Sequence, residues 1–162
     1  MATPCRRRRK RLTSRQWHSA SNKEKMAKNI PLADADRWDW LITLREEAIK
    51  CLRSSNSVIV TCSALKHKYR DVIRVANYEH PTVQIHFIYL RVDEHTLRQR
   101  VAARVGHYMK EGMVHSQMAA LEPPDEEWDV LAIDVRNNKE EVQRKALDAV
   151  KRKLAEYPDA NS

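Results

Sequence analysis

The stretch Val58-Ile59-Val60-Thr61-Cys62-Ser63-Ala64-Leu65-Lys66-His67-Lys68-Tyr69-Arg70-Asp71 decides the fold. Its first four residues are apolar or β-branched, the composition of a short buried strand. From Tyr69 the apolar residues return at helical spacing, as Val72 and Ile73. Basic and hydroxyl groups therefore gather just past the carboxyl end of a strand, the edge where an open α/β sheet binds ligands. Lys66 and Arg70 project from neighbouring positions on one helix face. A cationic pair there suits a phosphorylated or carboxylated small molecule.

Outward from this stretch the pattern alternates. The order reads helix, strand, helix, strand, helix, helix, strand, helix. Asp34 or Asp36 can cap a helix running to about Leu52, with Trp40, Leu41, Leu44, Ala48, Cys51 and Leu52 facing inward. The strand at 58–62 follows a Ser54-Ser55-Asn56-Ser57 turn, and a second strand at 84–90 follows a loop containing Pro81. Asp93 can cap a helix striped by Leu97, Val101 and Val105. Residues 106–124 read as a mobile segment ending in Glu122-Pro123-Pro124. A third strand spans 130–133, and Asn138 opens a last helix with Val142, Ala146, Ala149, Val150 and Leu154 inside. Strands alternating with helices predict an α/β fold, a parallel sheet with helices on both faces.

The chain has 162 residues, one domain's worth, and 42% of them are hydrophobic, enough for a core. Its net charge of +8 is concentrated in the run Arg6 to Arg11, whose six cations leave about +2 for everything after it. A near-neutral body argues against a nucleic-acid-binding surface. The run itself resembles a nuclear localisation signal, would bind anionic polymers non-specifically, and weakly permits a transit peptide. The reading preferred here is a basic disordered leader over 1–16, ahead of a domain at 17–157 and a tail at 158–162. Cys5, Cys51 and Cys62 lack metal-type spacing and are expected as reduced thiols. His67, His80, His86, His95 and His115 form no ligand set, so no metal-binding residues are expected. No stretch is long and apolar enough for a membrane span.

Three ordered motifs carry a resemblance. CSALKHKYRDVIR at 62–74 is similar to the CSALKxxYRDxxR motif of the gluconokinases, small P-loop sugar-acid kinases. Residues 18–26 and 30–41, HSASNKEKM and IPLADADRWDWL, look like that family's HPxxNxxKMxxGxPLxDxDRxPWL. Residues 104–123, beginning RVGHYMK and ending LEP, resemble its RxGHFM…SQxxxLEP segment. The resemblance runs from about His18 to near the C-terminus. It implies a P-loop kinase fold of the shikimate-kinase kind and phosphorylation of D-gluconate to 6-phospho-D-gluconate, with ATP and Mg²⁺. It also implies a cytoplasmic enzyme that acts on a small molecule, neither nucleic acid nor membrane, and it admits a homodimer.

Carried over residue by residue, the resemblance implies that Lys66 and Arg70 bind the acceptor's carboxylate or the transferred phosphoryl group. A solvated helix start is the plain alternative for both. Arg74 is a weaker member of that cluster, and His18 a candidate contact to a substrate hydroxyl. Arg104, within RVGHYM, is the candidate catalytic residue, closing on the phosphates with Arg100 and His107 beside it. Gly106 is either a lid hinge or a helix C-cap. Asp34, Asp36 and Arg37 read as capping and locking the first helix, and Trp38 and Trp40 as core and rim.

One element of the family pattern is missing from this sequence. It contains only Gly106 and Gly112 as glycines and no G-x-x-x-x-G-K-[ST]. In such a loop backbone N–H groups wrap the phosphates, the lysine neutralises charge and the hydroxyl holds Mg²⁺. The family's acidic residues ahead of the histidine are also replaced, by Thr13-Ser14-Arg15-Gln16. In the family sheet order, 2-3-1-4-5, the three strands read here correspond to 3, 4 and 5, and removing strand 1 leaves 3 and 4 without their shared neighbour. This predicts a poorly stable monomer and a truncated, misassembled or spliced form. The alternative function is a catalytically dead sugar-acid-binding or regulatory partner of a full-length kinase.

Overall fold

The computed structural model describes residues 9–13, 17–28, 30–103, 111–136 and 138–157. Four short strands appear, β1 (Arg9–Thr13), β2 (Ser57–Thr61), β3 (Phe87–Arg91) and β4 (Val130–Asp134), with helices between them. The helices are α1 (Ala20–Ala27), α2 (Trp38–Leu52), α3 (His67–Glu79), α4 (Glu94–Ala102), α5 (Glu111–Ala119) and α6 (Lys139–Ala155). β1 and β2 pair in parallel with Leu12 opposite Val60, and β3 and β4 pair in parallel with Ile88 opposite Leu131. The α/β class and parallel pairing match the expectation from the alternating pattern.

The two pairs do not join into one sheet among the described residues. They match the 2-3 and 4-5 flanks of the expected order, so among the described residues β2 and β3 each have a partner strand on one edge only. Neither strand closes against the other. Ile59 on β2 is 48% exposed and Leu90 on β3 is 51% exposed.

The leader reading is corrected here. Arg9–Thr13, inside the segment expected to be disordered, is the strand β1. Leu12 points inward and is buried, while Lys10 and Arg11 stay exposed. A charged strand is well suited to a sheet edge, where solvated cations discourage further pairing. Lys10 Nζ also donates to Ser54 Oγ at 2.9 Å. Arg6, Arg7 and Arg8 lie outside the described residues.

Helix starts follow local chemistry. Ser19, Asp93 and Asn138 cap α1, α4 and α6, each side chain accepting from the backbone N–H three residues on. α2 differs from expectation: Arg37 holds its N-cap position and no side chain caps it. Asp36 instead ties the preceding turn, accepting from Ala33 N at 2.9 Å and Lys25 Nζ at 2.6 Å. Within 106–124, read as mobile, residues Glu111–Ala119 form α5, and Met113 and Val114 are buried against the body.

Each strand pair has its own core. Trp40, Leu41, Leu44 and Tyr69 centre the first, with Val60, Cys62, Val72 and Ile73 packed around them. Ile133, Val135 and Ala149 centre the second, with Ile88, Leu131, Val142 and Ala146. Polar contacts join the halves: Glu122 N donates to Leu65 O at 2.9 Å, whereas Phe87 N, donating to Asp129 O at 2.9 Å, extends the β3–β4 pairing within the second half. Among the described residues, no helix is long and apolar enough to cross a membrane.

Candidate functional site

The start of α2, the end of β2 and the start of α3 meet around two buried aromatic rings. Trp40 is carried inward by the apolar stripe of α2, and Tyr69 by the first turn of α3. His18 lies flat on Trp40, with ring centroids 4.2 Å apart and an angle of 18° between planes. Trp38 meets Tyr69 edge-on at 5.8 Å. Two cations face the Tyr69 ring, the Arg37 guanidinium at 5.4 Å and Lys66 Nζ at 5.7 Å from its centroid.

Asp34 organises the basic edge. Its carboxylate accepts from Lys66 Nζ at 2.8 Å, from Lys68 Nζ and from the Tyr69 hydroxyl. The two lysine hydrogen bonds, then the Tyr69 hydroxyl, hold its acidity well below the ordinary carboxylate range. Burial and that same bond to Asp34 push the Tyr69 hydroxyl up to about 12. Burial, then the positive fields of Arg37 and Lys23, lower His18 to about 4, so its imidazole is neutral at physiological pH. Burial raises the Cys62 thiol to about 12, which makes it an inert packing group. Cys51 and Cys62 are both unbridged.

Arg70 has a different place from the one expected. It is 3% exposed, and all five of its N–H donors are engaged inside the protein. Nε and Nη2 bond the Glu127 carboxylate, Nη2 also the Glu122 carbonyl, and Nη1 the Ala64 and Leu65 carbonyls at 2.9 and 3.1 Å. A guanidinium with no donor left holds the fold and not a ligand, which corrects its assignment to the substrate. Arg74 is likewise committed, to Asp129 at 2.7 and 2.8 Å, to Asp71 at 2.8 Å and to Glu127. These carboxylates raise the Arg74 pKa further, the Asp129 hydrogen bond most. Burial alone would raise Glu127, yet its bonds to Arg70 and Arg74 hold it down at about 2.

The expected residues thus separate. His18 and Lys66 come together at the aromatic pair, whereas Arg70 and Arg74 face the loop 122–129. Arg100, expected beside the nucleotide, donates to the Val135 carbonyl at the end of β4. Arg104, Gly106 and His107 lie outside the described residues. Glu122, from the third motif, closes the site's other side by accepting from His67 N at the start of α3 at 2.6 Å.

The sequence reading missed Arg37 as a site residue. It is only 6% exposed, its Nε is buried without a partner, and no hydrogen-bond acceptor meets its guanidinium among the described residues. Trp17 Nε1 and His18 Nδ1 are buried and unpartnered in the same way. In the sequence, Arg37 directly follows two aspartates and precedes a helix, so it reads as a local lock. Only the engagement of both aspartates elsewhere exposes the difference.

Described residues of all three motifs, His18, Lys66 and Glu122, have been placed, and known proteins agree with the motifs. The chain is 42% identical to a probable gluconokinase of Schizosaccharomyces pombe over 148 residues, covering 86% of this chain and 73% of that protein. The chain belongs to the gluconokinase family. Other gluconokinase relatives include the thermoresistant gluconokinase of Escherichia coli K12, 37% identical over 136 residues, with 83% of this chain and 75% of that protein covered. Among solved structures, a gluconokinase from Sinorhizobium meliloti 1021 superposes with a TM-score of 0.77 at 35% identity, covering 94% of this chain and 82% of that one. No protein-family model matches the chain. As a gluconokinase-family chain it is a phosphotransferase of the P-loop kinase type, a class whose donor substrate is a nucleotide.

Proposed function

We propose that this chain takes D-gluconate as acceptor and ATP as donor, yielding 6-phospho-D-gluconate by in-line phosphoryl transfer. One observation carries the reading: His18, Lys66 with Tyr69, and Glu122, from three separate motifs, converge at the end of β2. Lys66 Nζ has three N–H donors and the described contacts use one on Asp34, which leaves donors for acceptor hydroxyls. Neutral His18 suits a sugar hydroxyl, since one ring nitrogen donates and the other accepts. The phosphate side is assigned to Arg104, with Arg100 and His107 beside it, stabilising charge on the transferred group. The enzyme is proposed to work in the cytoplasm, as a monomer or homodimer, without nucleic-acid partners.

The described residues do not fit a resident Mg²⁺. No group of three His, Cys, Asp or Glu among them could hold a metal ion, and Asp34 is taken by two ammonium groups.

A second reading, a sugar-acid-binding partner without turnover, is favoured by the absence of a G-x-x-x-x-G-K-[ST] in this sequence. Incubation with D-gluconate, ATP and Mg²⁺, followed by mass spectrometry for 6-phospho-D-gluconate, separates the two. Product formation supports the kinase. Calorimetric binding of gluconate without product supports the binding partner, and no binding with no product sinks both.

A further inference from the structure

We infer that Arg37 is the carboxylate receptor of this site, holding the acid group of an aldonate together with the Trp17 indole and the His18 imidazole. This deepens the proposed function and rests on its reading of the substrate as a sugar acid. Arg70 and Arg74 show that this fold pairs its buried arginines with carboxylates and carbonyls. Arg37 is as buried as Arg70, at 6% against 3%, and has no such partner among the described residues. Both carboxylates next to it in sequence are engaged, Asp34 by Lys66, Lys68 and Tyr69, and Asp36 by Lys25 and Ala33.

The sign of the missing partner follows from the orphaned atoms. Arginine Nε–H and tryptophan Nε1–H can only donate, so what completes them is an acceptor. The positive charge of Arg37 makes an anion the best acceptor, and its planar fork matches a carboxylate in two-point contact. Arg37 also occupies the N-cap position of the 15-residue helix α2, where no side chain caps the free backbone N–H groups. That end of a helix adds positive potential to the residue's surroundings. His18 stacked on Trp40 and Trp38 set edge-on to Tyr69 bring aromatic surface to the same region, against which the carbon chain of an open sugar acid can lie.

The test uses the full chain, ¹⁵N-labelled, with the Trp17 indole and Arg37 Nε–H resonances followed during titration. The probes are D-gluconate, D-galactonate, neutral D-gluconamide and inorganic phosphate. The expected result is that aldonates shift both resonances while D-gluconamide does not. By calorimetry, Arg37→Gln is expected to weaken aldonate binding on the order of 10–100-fold, with Arg37→Lys intermediate. D-Galactonate binding through Arg37 without D-gluconate binding would uphold this inference and overturn D-gluconate as the acceptor. D-Gluconate bound equally by a folded Arg37→Gln would overturn the inference and leave the proposed acceptor standing. If neither aldonate moves the two resonances of the unmutated chain, or if only phosphate does, the inference fails, and this arm does not depend on any variant folding.

Discussion

Arg70 and Glu127 form the joint between the two halves of the molecule, with Arg70 Nε 2.9 Å from Glu127 Oε2 and their side chains only 4% and 13% exposed. Arg70 belongs to α3 in the β1–β2 half, and Glu127 lies in the loop that leads into β4. Removing one member of a buried ion pair strands the other charge, which typically costs about 3–5 kcal/mol. Glu127→Gln is therefore expected to lower stability by about that amount in urea unfolding. Gluconate affinity measured on the fraction still folded is expected to change little. A large loss of affinity with little loss of stability would return Arg70 to the substrate.

Asp34 is the acceptor shared by Lys66, Lys68 and Tyr69. Asp34→Asn removes the charge that disfavours the Tyr69 phenolate, while burial, the larger cause, remains. The Tyr69 hydroxyl is expected to titrate below its present value of about 12 but above the ordinary 10, read from its ¹³C resonance. An unchanged titration would mean that the hydroxyl does not bond Asp34 in solution.

His18 makes stability depend on pH in a defined window. The unfolded imidazole takes a proton near 6.5, whereas the folded one resists until about 4. Between those values the unfolded state binds more protons, so stability falls as pH falls and is fully present above 6.5. His86, lowered chiefly by burial, contributes with the same sign. The loss attributable to His18 is on the order of 1 kcal/mol once its partial exposure is allowed for. His18→Phe keeps a ring on Trp40 and is expected to flatten the slope in denaturant midpoints taken from pH 7 to pH 4. A slope unchanged by that substitution would show that His18 is protonated without resistance.

What could be read from the sequence was whatever is written locally. The run Val58-Ile59-Val60 names its strand because β-branched residues favour the pleated backbone, and Asp93 and Asn138 announce their helices from the position directly before each. β1 could not be read this way. Its arginines look like a solvated tail, and its pairing with β2 spans more than forty residues, Arg9 opposite Ser57. α5 lacks an amphipathic stripe, so its periodicity gave no warning. At the site, the motif around Lys66 located the basic edge, but spacing cannot tell an arginine whose donors are all used from one whose Nε is left without a partner. Arg70 and Arg37 differ only in what surrounds them. That depends on Glu127, Glu122 and the two aspartates, none of which a local pattern connects to either arginine.

The unpaired edges of β2 and β3 set the last expectation. Among the described residues each strand bonds a neighbour on one side only, and each carries a large apolar side chain about half in solvent, Ile59 at 48% and Leu90 at 51%. An open edge with apolar side chains is a template for pairing with another chain. The chain is thus expected to self-associate at micromolar concentration, seen as a concentration-dependent mass in light scattering. Charge placed on an edge strand opposes such pairing, so Ile59→Lys with Leu90→Lys is expected to shift the chain toward monomer. Both sites are already half exposed, so neither substitution buries a lysine or opens a core cavity. If the double variant associates as strongly as the parent, the contact lies elsewhere, and the exposed aromatics Tyr78 and Trp128, at 88% and 80%, become the next residues to change. If the parent is monomeric at every concentration, the open edges are not a pairing surface at all.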